Sequence, residues 1–335
     1  KGVGEVGARA DVLNFYRAHV TSDFDKALDA IRRVESRPES APPGAAAALL
    51  ARLYAATGDY ESCVETLAPL LHPAAGEKPA GVAALEAELA ESLGGAAYLE
   101  SLYELGDEDE LFVEGHRRVQ NQPESALSFL AIGYYYMLTS NFEDARRNFQ
   151  KSTLLNPRLL PAWLGFGHSF AAQNELDSAL AAYRAASRLF PGSHLPPLHT
   201  GLILARQAGS STPSGTPNAG STASLAMSLR MLALARSLAP NSPRTHHESG
   251  VAAYSAGDYP AAVAHFTRAR ALLLRPHPGL DPSQSSSAAS RAAPRGFATA
   301  LNLAHALRWT GALGAARDMY GEALAVERGS AEAAA

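Results

Sequence analysis

Two stretches of this 335-residue chain repeat each other at a fixed distance. Phe129-x-x-Ile132-Gly133-x-x-Tyr136, Ala145-x-x-x-Phe149 and Pro157 return 34 residues later as Trp163-x-x-Phe166-Gly167-x-x-Phe170, Ala179-x-x-x-Tyr183 and Pro191. Such a period constrains the fold more than any composition does. Each copy is one small unit that cannot bury its apolar face alone, so neighbours must stack. Looser copies keep the phase. A third runs from Leu195 through Gly201, Ala235 and Pro240; a fourth carries Gly250, Gly257, Ala262, Phe266 and Ala269. A fifth carries Leu303, Ala304, Leu307, Gly311, Ala316, Tyr320 and Ala323. Upstream, Leu102, Gly106, Leu111 and Pro123 hold it with weaker residues, as do Leu50, Tyr54, Gly58, Cys63 and Leu67. Phe24, Ala27, Ile31 and Val34 read as the second helix of a still earlier copy.

This spacing is that of the tetratricopeptide (TPR) repeat. The expected fold is therefore all-α, a TPR α-solenoid: a right-handed superhelix of antiparallel helix pairs. Alanine fills about one position in five, well above ordinary usage, and favours helices that approach closely. Small residues such as Gly133, Ala145, Gly167 and Ala179 belong where helices A and B of one repeat touch, and Phe149 and Tyr183 face them. Pro157 and Pro191 stop helix B. The expected organisation is degenerate TPR helices over 1–81, core repeats over 82–206, further repeats over 225–274 and a last repeat over 297–330. Two Ser/Thr/Gly/Pro/Ala-rich insertions, 207–224 and 275–296, cannot build a packed core and are expected to be disordered. Shorter breaks are expected at 37–44 and 72–81.

Charge and cysteine content exclude several functions. Twenty-nine Lys and Arg oppose 33 Asp and Glu, a net of −4 without a basic face, so nucleic acid is not an expected partner. Cys63 is the only cysteine, which excludes an intrachain disulfide and a cysteine-based zinc site. No apolar run approaches the ~18 residues that span a bilayer, so no membrane association is expected. The start at Lys1 reads as a fragment of a protein from a reducing compartment, nucleus or cytoplasm.

Catalytic patterns are missing, and no cofactor or metal is expected. Gly2-Val3-Gly4-Glu5-Val6-Gly7 fits G-x-G-x-x-G, yet lacks the preceding strand that a dinucleotide site needs, and reads as a floppy or truncated segment. His246, His247 and Glu248 are adjacent, but neighbouring helix positions diverge by about 100°, so two imidazoles do not share an ion there without another ligand. Gly167-His168-Ser169 lacks the second glycine of a nucleophile elbow. Taken from the repeat phase, the inner face of the A helices should carry Leu130, Tyr134 and Met137, then Leu164 and His168, then Leu198 and Leu202. Later repeats add His247, Glu248, Val251 and Tyr254, then Leu301, Asn302, His305 and Arg308. Such a stripe packs adjacent helices or lines a groove for a peptide. Thr212-Pro213, Thr216-Pro217 and Ser242-Pro243 fit the minimal proline-directed kinase target.

Some strings are more specific than TPR phasing. They are Asp109-Glu110-Leu111-Phe112 with His116-Arg117-Arg118-Val119, Phe129-Leu130-Ala131-Ile132-Gly133-Tyr134-Tyr135-Tyr136, Trp163 with Gly167-His168-Ser169-Phe170, His247-Glu248-x-Gly250-Val251 and Asn302-Leu303-Ala304-His305. Together they resemble the cell division cycle protein 16 family, a TPR scaffold of the anaphase-promoting complex. The resemblance spans roughly Leu13 to Ala325 and departs from the family's usual glycine at Ala304. It implies a non-catalytic arm of a ubiquitin ligase that controls mitotic exit. It also implies a homodimer in the full-length protein, a very small partner subunit in the groove, and neighbouring TPR subunits as further partners. Carried over by position, the groove residues are Tyr134, His168, Leu202, Glu248, Tyr254, Asn302 and His305, to which the phase adds His247. The alternatives are a TPR adaptor of another assembly, or an array appended to an enzyme domain lying elsewhere.

Overall fold

The computed structural model describes residues 2–20, 23–36, 44–72, 82–210, 219–274 and 293–333. Among them are sixteen helices and no strand. Two units divide the chain between Pro191 and Gly192.

Unit 1 contains α1 (Gly2–Val20), α2 (Phe24–Glu35), α3 (Ala45–Thr57), α4 (Tyr60–Leu71), α5 (Val82–Leu105), α6 (Glu108–Asn121), α7 (Ala126–Leu138), α8 (Phe142–Leu155), α9 (Leu160–Ala172) and α10 (Leu176–Leu189). Unit 2 contains α11 (Leu195–Ser210), α12 (Ala219–Leu238), α13 (Pro243–Ser255), α14 (Tyr259–Leu273), α15 (Ala293–Trp309) and α16 (Leu313–Ala333). Within each unit, successive helices pack as pairs, and each pair packs on the next. This is the TPR arrangement that the 34-residue period predicts.

The turns inside the pairs follow one local rule. Helix A ends on a residue of positive φ, and the next residue caps helix B. Gly58, Gly106, Gly257 and Gly311 occupy that left-handed position, which costs glycine nothing. Ser140 and Asn174 take it in the two repeats that match best. Asp59, Asp107 and Asp258 follow three of the glycines and accept from the backbone N–H groups of Ser62, Glu110 and Ala261. Each Gly-Asp pair thus stops one helix and starts another.

Packing explains the small residues. A Cβ built on Gly133 would lie 2.6 Å from the Phe149 ring, and so would one on Gly165 of the following repeat. Phe149 is wedged between α7 and α9, fully buried. Phe266 sits 2.6 Å from the same point on Gly250, and Leu232 2.8 Å from that on Gly201. Real Cβ atoms do not approach this closely, so any larger residue pries the pair apart.

The structure differs from the sequence reading at the insertions. Helix α11 runs on to Ser210 and α12 begins at Ala219, so both ends of the stretch read as 207–224 are helical. Ser221 donates its hydroxyl to the Ala208 carbonyl at 2.7 Å, tying the first turn of α12 to the last of α11. Likewise α15 begins at Ala293, inside the stretch read as 275–296. The remainder, 211–218 and 275–292, lies outside the described residues, as do 37–43 and 73–81. The Gly2–Gly7 segment is the first part of α1, a helix rather than a floppy segment or a phosphate-binding loop.

Candidate partner-binding face

The repeat phase places one residue directly after the small residue of helix A, and that residue meets the aromatic of helix B fifteen positions on. Tyr134 meets Phe149 edge-on at 5.4 Å, His168 meets Tyr183 at 5.7 Å, and His305 meets Tyr320 at 5.4 Å. The Tyr183 hydroxyl hydrogen-bonds His168 Nδ1 at 2.8 Å, and the Tyr320 hydroxyl hydrogen-bonds His305 Nδ1 at 3.0 Å. Both histidines are half-buried, with their rings oriented by these bonds.

Tyr134 behaves differently. It is only 4% exposed, stacked on Tyr103 at 4.8 Å, and burial drives its phenol well above the ordinary range. Tyr134 is core, not a groove-lining residue. Its position matches that of His168 and His305, but a tyrosine there finds Tyr103 of α5 to lie against. Leu130, Leu164 and Leu198, expected on the inner face, are also buried. Leu202 is half-buried on α11, whereas Val251, its counterpart on α13, is exposed.

Helix α13 breaks the leucine series. Counting back three from Gly133, Gly167 and Gly201 gives Leu130, Leu164 and Leu198; counting back from Gly250 gives His247. The ring packs edge-on against Phe266 and bridges to α15. Asn302 donates its amide to Nε2 at 3.4 Å, and Nδ1–H donates to the Thr299 hydroxyl at 3.0 Å. This pair of bonds selects the neutral Nδ1–H tautomer. Burial depresses the His247 pKa, which agrees with a neutral ring. Glu248 next to it is half-buried; burial raises its pKa, and the Arg244 charge only partly offsets that. Tyr254, one turn beyond Gly250, accepts from the Trp309 indole N–H at 2.8 Å. Trp309 itself stacks on Tyr259 at 5.4 Å and is 61% exposed.

Unit 2 therefore brings together His247, Asn302 and Thr299, with Tyr254 and Trp309 at the C-terminal ends of the same A helices. His246 diverges from His247: its Nε2–H donates to the Pro240 carbonyl at 2.9 Å. No group of three metal-ligating side chains occurs among the described residues, and no described helix is long and apolar enough to cross a membrane. Ser242 is buried as the N-cap of α13, where it accepts from the Thr245 N–H. A kinase does not reach it in this fold. Thr212 and Thr216 lie outside the described residues.

Two features escaped the sequence reading. Trp309 carried a signal, an aromatic two residues before the Gly311 turn. The other is a buried ionic network in unit 1. Glu114, 1% exposed, accepts from Arg118 Nε at 2.5 Å and from Arg117 at 2.8 Å. Arg118 also reaches Glu91 of α5, 2.9 Å from Nη2 to Oε2. His72, the C-cap of α4, lies 3.5 Å from Glu114 and 3.3 Å from the Tyr98 hydroxyl. The i,i+4 spacing of Glu114 and Arg118 signalled half of this network; Glu91, 27 residues away, did not.

Anaphase-promoting complex subunit 6 of Arabidopsis thaliana is 36% identical over 171 residues, covering 51% of this chain and 29% of that protein. Anaphase-promoting complex subunit CDC16 of Saccharomyces cerevisiae is 31% identical over 212 residues, covering 63% of this chain and 22% of that protein. Over that stretch the chain is similar to anaphase-promoting complex subunits. Its match thus spans between a fifth and a third of those relatives' length. A crystal structure of the APC/C hetero-tetramer Cut9–Hcn1 superposes with a TM-score of 0.65 at 26% identity, over 90% of this chain and 50% of that chain. No family model matches the chain. The resemblance drawn from the Gly-His-Ser and Asn-Leu-Ala-His strings is to the same proteins.

Proposed function

We propose that this chain is part of a non-catalytic TPR subunit of an anaphase-promoting complex, and that its inner A-helix row in unit 2 holds a small partner chain. The observation that supports this most is the His247–Asn302–Thr299 bridge. It replaces a leucine-type packing contact with polar groups on the face that TPR arrays present to peptides. Its neighbours widen the surface. Leu202 gives an apolar contact on α11, Glu248 and His305 offer polar ones, and the Tyr254–Trp309 pair forms an aromatic end. His168 occupies the matching position in unit 1.

Relatives supply the kind of occupant. Cut9 is crystallised with Hcn1, and a chain of the Hcn1 kind is the partner proposed for this row. Neighbouring TPR subunits belong on the outer helices. Homodimerisation of the full-length protein, and residence in nucleus and cytoplasm, belong to the same reading. Phosphorylation, where it occurs, belongs at Thr212 and Thr216. The other reading, a TPR adaptor of a different assembly, shares the fold and differs in its partners.

The test is affinity purification of the tagged full-length protein from dividing cells of its own source, with mass spectrometry of everything retained. Recovery of further anaphase-promoting complex subunits together with one very small chain is the expected result. An unrelated set of partners would leave the fold standing and transfer the function to the adaptor reading.

A further inference from the structure

Away from the inner row, cationic groups gather in unit 2 where the end of α12 meets the start of α13 and the middle of α14. Arg236 is half-buried, and its guanidinium donates to the Ser249 hydroxyl at 2.6 Å. Arg268, exposed on α14, donates to the Asn241 side-chain oxygen at 3.3 Å. His246 and His265 lie beside them with ring centroids 6.1 Å apart. The buried Nδ1 of His246 has no hydrogen-bond partner. Among the described residues neither arginine forms an ion pair with a carboxylate; each is bonded to a neutral side chain. Asp258 acts on His265 only through its charge, and its side chain caps α14 at Ala261.

Arginine stays ionised, so a desolvated guanidinium needs an anion to offset the loss of water. Arg236 has none, and burial alone lowers its pKa. Burial likewise lowers both histidines, and the charges of Arg236 and of the neighbouring cations lower them further. The carbonyls ending α12 contribute about half a negative charge, too little to neutralise two arginines. The cluster lacks its counter-charge. Arg236, Arg268 and the two imidazoles are spread over α12, α13 and α14, which suits several carboxylates of one polypeptide and not a single inorganic anion.

We propose that this α12–α13–α14 surface docks an acidic, Asp/Glu-rich segment of a partner protein, with Arg236 and Arg268 receiving its carboxylates. It is separate from the inner row and does not depend on which assembly the chain serves. Guanidinium forks match carboxylates two bonds at a time, which gives such a site geometry as well as charge.

The experiment is fluorescence anisotropy of a labelled octaglutamate peptide with the full-length protein at about 0.05 M salt, where surface charges act over long range. Saturable binding is expected, weakened about tenfold or more by R236Q/R268Q, the equivalent of roughly 1.4 kcal/mol. R230Q removes the same charge elsewhere on α12 and should leave binding within about twofold. Binding should tighten as pH falls from about 7.5 to 6, because a bound anion favours the charged imidazoles of His246 and His265. R268Q alone changes an exposed side chain and guards against misfolding, so it should show part of the loss with an unchanged melting curve. The proposal is overturned by any of three results: no saturable binding, equal loss in R230Q, or inorganic phosphate that displaces the peptide at matching affinity.

Discussion

The α7–α10 repeats of unit 1 and the α13–α16 repeats of unit 2 follow the same pattern with different chemistry. In both, a small residue on helix A receives an aromatic from helix B. Phe149 presses on Gly133 and Gly165, and Phe266 on Gly250. Three residues before the small position, α7 and α9 bury Leu130 and Leu164. At that place α13 carries His247, hydrogen-bonded across to α15. A polar side chain enters a packed position only when its partners come with it. The first region is thus built for stability, whereas the second gives up apolar packing for a patterned polar face.

If that division is right, the largest loss belongs to the first region. Phe149→Ala should destabilise α7–α9 by about 3–5 kcal/mol, because it empties a wedge touching two repeats. Hydrogen exchange resolved by helix is the suitable readout, since repeat arrays open locally. A change below about 1 kcal/mol there would mean that the glycine–aromatic wedge is not what holds the repeats.

Glu114→Gln comes next, at roughly 3 kcal/mol, as it leaves Arg118 buried with only Glu91 for charge. Urea denaturation followed through α4–α6 checks it. Burial alone would push the Glu114 carboxyl up, but the Arg117 hydrogen bond and the charges of Arg118 and Arg117 outweigh it and hold the pKa below 4.5. The stability it contributes is therefore intact above pH 4.5 and is lost as pH falls below that value.

Acid should separate the two units in the opposite order. His194, His246, His247 and His265, all in unit 2, are depressed below 6.5, chiefly by burial, and His194 falls to about 4. Below pH 6.5 the unfolded chain binds protons that the folded one refuses, so stability drops as pH falls towards 4. In unit 1, His72 shifts the same way. Between pH 6.5 and 4.5, exchange protection in α13 and α15 should fall well before that in α7 and α9. Equal loss in both would contradict the division.

The smallest effect is expected from His247→Leu, which restores the residue type of positions 130, 164 and 198. Stability should change by less than about 1 kcal/mol, because the leucine gains the burial that the ring's hydrogen bonds offset. Thermal melting of the variant checks this. A large loss would show that the polar bridge is structural.

Much of the fold was legible because period, small residues and Gly-Asp turns act locally. Gly58-Asp59, Gly106-Asp107 and Gly257-Asp258 each end one helix and cap the next within two residues. Depth was less legible. Phase assigns Tyr134 and His168 to one face, but only the position of Tyr103 shows that Tyr134 is covered. The partners of His247 lie 52 and 55 residues along the chain, and no spacing rule links them. Helix ends at 207–210 and 219–224 were masked by Ser and Gly content, which the Ser221–Ala208 bond overrides.

The polar row of unit 2 is proposed to hold a small partner chain, whereas Tyr134 packs in the core. The measurement that tests it is quantitative co-purification from the full-length protein, comparing wild type with Tyr134→Phe and with the double variant His247→Leu, Asn302→Leu. The expected outcome is that the double variant loses a very small co-purifying chain about tenfold or more, while Tyr134→Phe retains it within about twofold. Retention by the double variant together with loss in Tyr134→Phe would contradict the account.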